Sequence, residues 1–433
     1  MDWLDFGFRS NPYDSSELPA SEVGHKLLVG RDAQLRQLKE QLKSSANVVA
    51  VEGAYGVGKS SLIAVAQHAL EEEFPMGRGQ QLFLSASKPF QLQTDTGPTA
   101  FRHEVLYSVA NALTTHRERL REAGLANSGI ETIGRWLTAP EVRGKGGGLT
   151  TPFGGGTFNM TSGPNTSDGF KQEGFPERVE ACLRECFPSR QQGGVICVID
   201  NLEVLDLSST RTLLEQIRDP LLRKAGLCWV LCGAPRTVRD AASSQRLHGI
   251  VRTPIEIGPI EAPFVGEVVG RRLEVYAQED SNYTPVEPDG FLRLYGAVNR
   301  HLREALVACE RYSEWLDARE DWPESPADKS QLLRKWLALE ADNHLSATRD
   351  PGDRAWRLFD ELAQEPDGIA SSSDFRALGF KSPDAMLKEM QELQMANLAG
   401  PAMGEDPSRD ETIEMTPQGR MVRIARLGIE KVF

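Results

Sequence analysis

The sequence predicts an α/β fold with three parts: a parallel β-sheet covered by helices on both faces, a small all-helical domain, and a C-terminal winged helix-turn-helix. Apolar β-branched runs alternate with amphipathic segments over residues 47–260, a pattern typical of parallel sheets. From residue 261 onward the strand-like runs stop, while helical periodicity continues. In residues 346–433, three helical segments precede a short β-like run, which is the order of a winged helix.

Composition excludes several classes of protein. A chain of 433 residues is too long for one hydrophobic core and indicates several domains. The net charge of −13 argues against a surface coated with basic residues for non-specific nucleic-acid binding. No apolar run is long enough to cross a bilayer, and the acidic start lacks the order of a signal peptide. We therefore expect a cytoplasmic protein with no membrane partner.

Short apolar runs mark the strands of the predicted sheet, and amphipathic segments mark its helices. The strands are expected at Asn47–Glu52, Gln81–Ser85, Gly194–Asp200, Leu227–Leu231 and Thr253–Ile257. Helices are expected at Arg31–Leu42, Phe101–Arg121 and Pro176–Cys186, then at 262–277, 287–295, 299–316 and 328–342, and finally at Arg354–Gln364, Ser372–Ala377 and Pro383–Ala396.

Changes in composition divide the chain into four predicted parts. They are an N-terminal segment (1–46), an α/β core (47–260), a helical lid (261–345) and the winged helix-turn-helix (346–433). Within the core, residues 143–170 are rich in glycine and threonine. Two interpretations of this insertion remain open: a mobile surface loop or weak hairpin, or an element that contacts a partner or nucleic acid.

A phosphate-binding loop is the most specific motif in the chain. Residues 53–60 read Gly-Ala-Tyr-Gly-Val-Gly-Lys-Ser and satisfy the pattern G-x-x-x-x-G-K-[ST]. The glycines allow successive backbone N–H groups to point at an anion, and the helix that follows adds its positive end. Lys59 is expected to reach the β- and γ-phosphates of ATP, and the Ser60 hydroxyl to ligate Mg²⁺. The expected nucleotide contacts are Gly53, Tyr55, Gly56, Val57, Gly58, Lys59, Ser60 and Ser61.

Such a loop needs an acid at the end of a neighbouring strand, and Asp200 ends the most apolar run of the chain. We expect Asp200 to hold the metal together with Ser60. The group that polarises the attacking water is less obvious, because Asn201 follows Asp200 where many related ATPases carry glutamate. Glu203 is the nearest carboxylate, and it is either the catalytic base or an ordinary acid at a helix start.

These motifs resemble the AAA+ superfamily of P-loop NTPases and its STAND relatives. The resemblance rests on Leu28–Asp32 before the loop, on the loop itself, on Asp200 and on the helical lid, and it spans nearly the whole chain. Within the superfamily it is strongest to the origin-recognition and replication-initiator ATPases, which also end in a winged helix.

The resemblance implies roles for several further residues. Val29, Gly30 and Arg31 match the segment that lines the adenine pocket in such proteins. Arg303, with Arg300 as the alternative, resembles the lid arginine that reaches the γ-phosphate. The small polar residue usual at the end of the fourth strand is missing, and Arg236 after it resembles a phosphate-sensing arginine of STAND proteins; the alternative is a surface cation. An arginine acting on a neighbouring subunit would be Arg246 or Arg252 and would imply self-association.

The charge of the predicted winged helix leaves its partner open. Residues 353–433 hold fifteen acidic and ten basic residues, and the expected recognition helix carries Lys388 as its one basic residue. Major-groove readout prefers arginine, lysine, asparagine or glutamine. Arg409, Arg420, Arg423 and Arg426 are the candidates for a basic edge near the wing. Two interpretations of the winged helix therefore stay open: DNA binding, and protein contact or packing onto the ATPase core.

Three hypotheses about function follow from these residues. The first is an ATPase that binds ATP and Mg²⁺ and acts as a switch for assembly or for engaging a partner. The second is an interaction protein that holds ATP as a structural ligand with little hydrolysis, which Asn201 and the missing polar residue favour. The third is a DNA-binding ATPase that uses its winged helix.

Overall fold

The computed structural model describes residues 1–44, 48–74, 81–93, 97–138, 174–278, 283–319, 321–365, 368–402 and 411–432. The glycine-rich insertion at 143–170 and Arg409 lie outside the described residues. None of the helices in the described ranges is long and apolar enough to span a membrane.

A six-stranded parallel sheet forms the centre of the α/β core. Its strands are β1 (Val48–Gly53), β2 (Leu82–Ser85), β3 (Phe90–Gln91), β4 (Gly193–Asp200), β5 (Leu227–Gly233) and β6 (Ile255–Ile257). The order across the sheet is β2-β4-β5-β1-β6, and β3 continues the pairing along β4 beyond β2. The parallel sheet is confirmed, and the five predicted strands are all present. The short β3 was not predicted, because two residues carry no periodic signal.

Helices cover both faces of this sheet. They are α1 (Glu22–Leu27), α2 (Asp32–Lys43), α3 (Lys59–Glu73), α4 (Pro98–Thr115), α5 (Arg117–Glu122), α6 (Ser128–Thr138), α7 (Gly174–Cys186), α8 (Leu207–Ile217) and α9 (Thr237–Ala242). Alternate residues of the strands enter two hydrophobic clusters: Val48 and Ala50 pack on one face, and Val49 and Val51 on the other. Burial on both faces explains why these strands are apolar throughout rather than alternating.

The expected long helix at Phe101–Arg121 is two helices. α4 ends at Thr115, and α5 begins at Arg117 after a turn at His116. Leu120 of α5 is fully buried in the same cluster as α4. Helical periodicity continues across the break, so the apolar pattern alone did not reveal it.

A second bundle of helices follows the sheet, at the place predicted for the lid. It contains α10 (Ala262–Tyr276), α11 (Pro288–Ala297), α12 (Leu302–Asp317) and α13 (Pro326–Ala347). The N-terminal segment is part of its core: Phe6, Phe8 and Tyr13 are fully buried among these helices. Tyr13 also exchanges hydrogen bonds with the backbone of Val286 at 2.8 and 3.0 Å.

The C-terminal part has a separate core under a small antiparallel sheet. Its elements are α14 (Asp353–Gln364), β7 (Ile369–Ser371), a 3₁₀ turn (Ser372–Arg376), α15 (Pro383–Met395), β8 (Ala399–Pro401), β9 (Thr412–Met415), α16 (Pro417–Leu427) and α17 (Ile429–Val432). The sheet order is β7-β9-β8. α16 packs along α13 and buries Ile424 in the lid cluster, so this part is attached to the lid.

The expected basic edge near the wing is wrong for the arginines that the structure describes. Arg420 is buried and pairs with Glu414 at 3.1 Å. Arg423 donates to a backbone carbonyl of α14 at 2.7 Å, and Arg426 makes two hydrogen bonds to Asp360 at 2.6 Å. Arg420 and Arg423 therefore bond within the protein, and the exposed Arg426 is paired with an acid, which a list of charges could not show.

Gly193, at the start of β4, provides a test of the sheet. Its φ is +103°, and a Cβ at this position would lie 1.9 Å from the carbonyl oxygen of Leu82. We expect Gly193→Ala to lower the free energy of unfolding by about 3 kcal/mol or more, because the left-handed strain adds to a backbone clash. The measurement is denaturant unfolding. Gly124→Ala is the matched control, since φ is +69° there but nothing lies within 4 Å, and we expect a loss of about 1–2 kcal/mol. Equal losses in the two variants would contradict the register of β2 and β4.

Candidate nucleotide-binding site

The loop between β1 and α3 bends through conformations that glycine adopts readily. Gly56 has φ +74° and Gly58 has φ +95°. A Cβ at Gly58 would meet nothing within 4 Å, so the concave side of the loop is open. α3 begins at Lys59 with no side-chain cap, and its first N–H groups are available to an anion.

Lys59 is held against its own loop. Its Nζ donates to the carbonyl oxygens of Gly53 (2.9 Å) and Ala54 (3.1 Å), and the side chain is buried. This does not close the loop, since a cavity of about 350 Å³ lies beside it. The cavity is lined by every residue from Tyr55 to Ser61 and by Asp200. Gly53 does not line it and contributes its carbonyl to Lys59 instead.

Ser60 and Asp200 form the oxygen pair expected for a metal ion. The Ser60 hydroxyl donates to Asp200 Oδ2 at 2.8 Å, and Asp200 is buried at the end of β4. The described residues contain no cluster of three histidine, cysteine or acidic side chains that could hold a metal. A hydroxyl beside a carboxylate fits Mg²⁺, which keeps several waters and uses one or two protein oxygens together with phosphate oxygens.

Cys232, at the end of β5, is a site residue that sequence analysis missed. It belongs to β5, which lies between β1 and β4, and its thiol is close enough to the Asp200 carboxylate to feel its charge. Burial raises the pKa of this thiol well above its usual range, and the negative charge of Asp200 adds to the effect. A neutral thiol is therefore a polar contact at the strand end where the sequence offered no serine, threonine or asparagine.

Arg31 was expected to line the base pocket, and the structure shows a further contact. Its guanidinium is buried and donates to the carbonyl oxygens of Val57 (3.1 Å) and Gly258 (2.5 Å). It therefore links the phosphate loop to the end of β6. Val29 lines the cavity, whereas Gly30 does not and packs on Phe264.

The first turn of α12 contacts the phosphate loop from the lid. Arg303 lines the cavity, donates to the Tyr55 hydroxyl, and has its Cζ 4.6 Å from the centre of the Tyr55 ring. A Cβ on Gly56 would lie 2.8 Å from His301 and 2.9 Å from Arg303. The lid and the loop thus touch directly, and Gly56 is the residue that permits this approach.

Two predicted catalytic residues lie outside the cavity. Glu203 accepts a hydrogen bond from the backbone N–H of Ala234 at 3.0 Å and does not line the cavity. Arg236 is exposed at the start of α9, with φ +69°. The N–H groups of this helix start hydrogen-bond Glu52, a buried acid of β1 whose pKa is raised by burial.

The two arginines considered for action on a neighbouring subunit are on the surface. Arg246 lies 3.8 Å from Glu215, and Arg252 donates to Ser44 at 3.4 Å. The role of either arginine between subunits stays a prediction.

Part of the cavity wall is apolar. It is lined by Leu27, Leu28, Val29, Ile260, Val268, Leu302 and Leu306. Polar residues of the lining include Ser15, Ser16, Glu17 and Arg272. No sequence motif marks residues 15–18 as part of the site. Only the fold of the chain brings them to the cavity.

An open phosphate loop on a parallel sheet, with a buried acid two strands away, defines a P-loop nucleotide-binding protein. Residues 27–230 match the family described as "AAA ATPase domain". This part of the chain is therefore an AAA ATPase domain, and the AAA part of the resemblance is confirmed. The match ends within β5 and includes neither the lid nor the C-terminal part. No curated protein matches the chain.

Solved structures of low sequence identity extend over the whole chain. The Aeropyrum pernix ORC1 protein in complex with DNA is 16% identical, with 97% of this chain and 99% of that chain covered and a TM-score of 0.44. The Aeropyrum pernix ORC2 protein in ADPNP–ADP complexes is 11% identical, with 98% of each chain covered and a TM-score of 0.48. Cdc6p from Pyrobaculum aerophilum is 13% identical, with 98% of each covered and a TM-score of 0.38. Because these TM-scores are below 0.5, the similarities carry no argument about function.

The burial of His301 predicts how the stability of the folded protein depends on pH. Burial lowers its pKa to about 3, and the positive charges of Arg420, Arg303 and Lys59 contribute. The folded pKa lies below the unfolded value of about 6.5. The unfolded state therefore binds more protons between these values. Neutral His301 contributes fully above about pH 6.5, and its contribution is lost as the pH falls.

Between pH 7 and pH 5, the free energy of unfolding should fall by less in His301→Gln than in wild type. We expect the difference to be on the order of 1–2 kcal/mol. The measurement is denaturant unfolding of both proteins at several pH values. His248→Gln is the control for removing a histidine elsewhere. Parallel pH profiles for wild type and His301→Gln would contradict the burial of this imidazole in the neutral form.

Proposed function

We propose that the protein binds ATP with Mg²⁺ between the sheet and the lid and acts as a nucleotide-dependent switch. The observation that carries this proposal is the contact of the lid with the phosphate loop, through Arg303 and His301 on one side and Tyr55 and Gly56 on the other. A γ-phosphate offers a guanidinium a stronger partner than a tyrosine hydroxyl does. ATP would therefore draw Arg303 from Tyr55 toward the phosphates and move the first turn of α12.

Lys59 and the first turn of α3 are the proposed holders of the phosphates. Lys59 would exchange its two carbonyl acceptors for phosphate oxygens, a gain because charge-assisted bonds to an anion are stronger. Ser60 and Asp200 would hold Mg²⁺, which when bound neutralises charge on the β- and γ-phosphates. The apolar wall would take the base, in agreement with an adenine nucleotide.

The lid contact continues to the C-terminal part. Arg420 of α16 is buried near His301 and Glu304. Burial lowers the pKa of His301, and the positive charge of Arg420 adds to this effect. Burial raises the pKa of Glu304, and the charge of Arg420 opposes that shift. The guanidinium also pairs with Glu414 of β9, while its Nε has no hydrogen-bond partner among the described residues. A shift of α12 would therefore change the surroundings of Arg420. We propose this chain of charges as the route from nucleotide to the C-terminal surface.

The boundaries 1–46, 47–260, 261–345 and 346–433 remain our proposed division, with residues 346–433 as a winged helix. Arg420, Arg423 and Arg426 are engaged within the protein, which favours a role as a relay or protein-contact unit over DNA binding. A partner would then be another protein or a second copy of this chain.

A second candidate function is an interaction protein that holds ATP with little turnover. The position of Glu203 favours it, because its carboxylate is engaged with Ala234 outside the cavity and Asn201 cannot act as a base. The two candidates share the nucleotide site and differ in the rate of hydrolysis.

Lys59→Met tests the site itself. We expect it to weaken ATP binding at least tenfold, because the charged partner of the phosphates is lost. Asp200→Asn should retain ATP binding and lose Mg²⁺-dependent phosphate release. Calorimetry and a phosphate-release assay are the measurements, and Lys88→Met, an exposed lysine beside Glu104, is the control. ATP affinity in Lys59→Met equal to that of wild type would refute the proposed site, and background phosphate release from wild type would leave the structural-ligand function.

Arg303→Met tests the switch. In wild type we expect ATP to change amide hydrogen exchange within Pro417–Leu427, because α12 moves against Arg420. In Arg303→Met that change should disappear while ATP still binds, about three- to tenfold more weakly. Arg319→Met, at the other end of α12, should behave as wild type. An undiminished response in Arg303→Met would show that the lid arginine does not transmit nucleotide binding.

A further inference from the structure

We propose that Arg272 reads the ribose of the bound nucleotide, in a pocket completed by the N-terminal segment; this rests on the proposed function. The side chain is on α10, it lines the cavity, and it is only 6% exposed. Its Nη1 donates to the carbonyl oxygen of Asp14 at 2.7 Å, which fixes one edge of the guanidinium. Its Nε is buried and has no hydrogen-bond partner among the described residues.

A buried guanidinium with an unused donor is costly unless something completes its hydrogen bonds. Burial lowers the pKa of Arg272, and the described carboxylates do not pair with it within ion-pair distance. Asp14 offers its backbone carbonyl only, since its carboxylate accepts hydrogen bonds from Ser16. A ligand in the cavity is the available acceptor, because Arg272 lines that space.

The place of Arg272 along the cavity indicates which part of the nucleotide it meets. Val268, one helical turn earlier on α10, belongs to the apolar wall that would take the base. Asp14, the acceptor for Arg272, belongs to the N-terminal segment. Farther along this segment, the Leu18 N–H donates to the Ser61 hydroxyl at 3.0 Å, at the phosphate end of the cavity. Between base and phosphates lies the sugar. A ribose hydroxyl oxygen is a neutral acceptor, and the Nε–H of an arginine is a suitable donor to it.

The N-terminal segment makes this pocket possible by joining lid and core. Arg9 donates its N–H to the carbonyl of Tyr276 at the end of α10, and Gln278 donates back to Gly7. Leu18 then bonds Ser61 at the start of α3. Residues 15–18 line the cavity between these two attachments. The segment therefore crosses the sugar end of the site and orients Arg272 through Asp14.

The test compares affinities of purified full-length protein for ATP, 2′-deoxyATP, 3′-deoxyATP and GTP by calorimetry. Wild type should bind ATP about tenfold more tightly than at least one deoxy analogue, because the analogue leaves the charged donor unpaired. Arg272→Met keeps an apolar stem but lacks the donor, and its ribose-to-deoxyribose ratio should fall to about one. Arg271→Met is the matched control: Arg271 is the exposed neighbour paired with Glu267 at 3.2 Å, and its ratio should equal that of wild type.

Each other outcome has a distinct meaning. If Arg272→Met weakens ATP and both deoxy analogues by the same factor, the arginine only supports the fold and the inference is overturned. A change in the ATP-to-GTP ratio with an unchanged ribose ratio would assign Arg272 to the base and also overturn it. Wild type that binds ATP and both deoxy analogues equally overturns this inference alone. Wild type that binds no nucleotide overturns the proposed function and this inference together.

Discussion

The site depends on a loop whose carbonyl oxygens are held by two cations while a cavity beside it stays open. The backbone of residues 53–60 turns through left-handed conformations at Gly56 and Gly58. Arg31 binds one carbonyl of the loop and Lys59 binds two others, and these bonds stabilise its curvature. Its inward N–H groups and the start of α3 remain the positive end of the site.

Three other parts of the molecule reach this loop. The sheet brings Asp200 to Ser60 because β4 and β1 are parallel and end at the same edge. The lid reaches it through His301 and Arg303, and the N-terminal segment reaches Ser61 through Leu18. The nucleotide would therefore contact three parts of the chain at once. A ligand that binds one arrangement of these parts more tightly than another shifts the equilibrium between the two arrangements.

Buried polar groups connect the lid with the C-terminal part, in addition to the apolar contact of α16. Arg420 and His301 are both buried, both carry a side-chain nitrogen without a partner among the described residues, and the positive arginine disfavours protonation of the imidazole. Buried polar groups of this kind are costly and respond to small displacements. A hydrophobic contact of the same size would hold the two parts together as well, but it would not sense the charge of a phosphate.

The sequence by itself determined the parallel sheet, the helical bundle after it, the phosphate loop and the acid at Asp200. Each of these is a local pattern: a β-branched run, a helical period, or a fixed spacing of glycine, lysine and serine. The AAA ATPase match covers residues 27–230, which include the phosphate loop and Asp200 but not the helical bundle. In the C-terminal part, local patterns marked α14, the turn at Ser372–Arg376, α15 and the run at β9, because helix starts are marked by nearby residues. The strands β7 and β8 and the helices α16 and α17 were not predicted.

Only the tertiary structure decided which distant residues meet. The arginines of α16 form no basic edge, because α16 lies against α13 and α14, and packing partners are not encoded in the charge of one helix. Cys232 and Arg272 gained their places from neighbours more than thirty residues away in the chain. Residues 15–18 reach the cavity because Phe6, Phe8 and Tyr13 anchor the segment in the lid core. Long-range burial selects these contacts, and a short sequence window contains no signal for it.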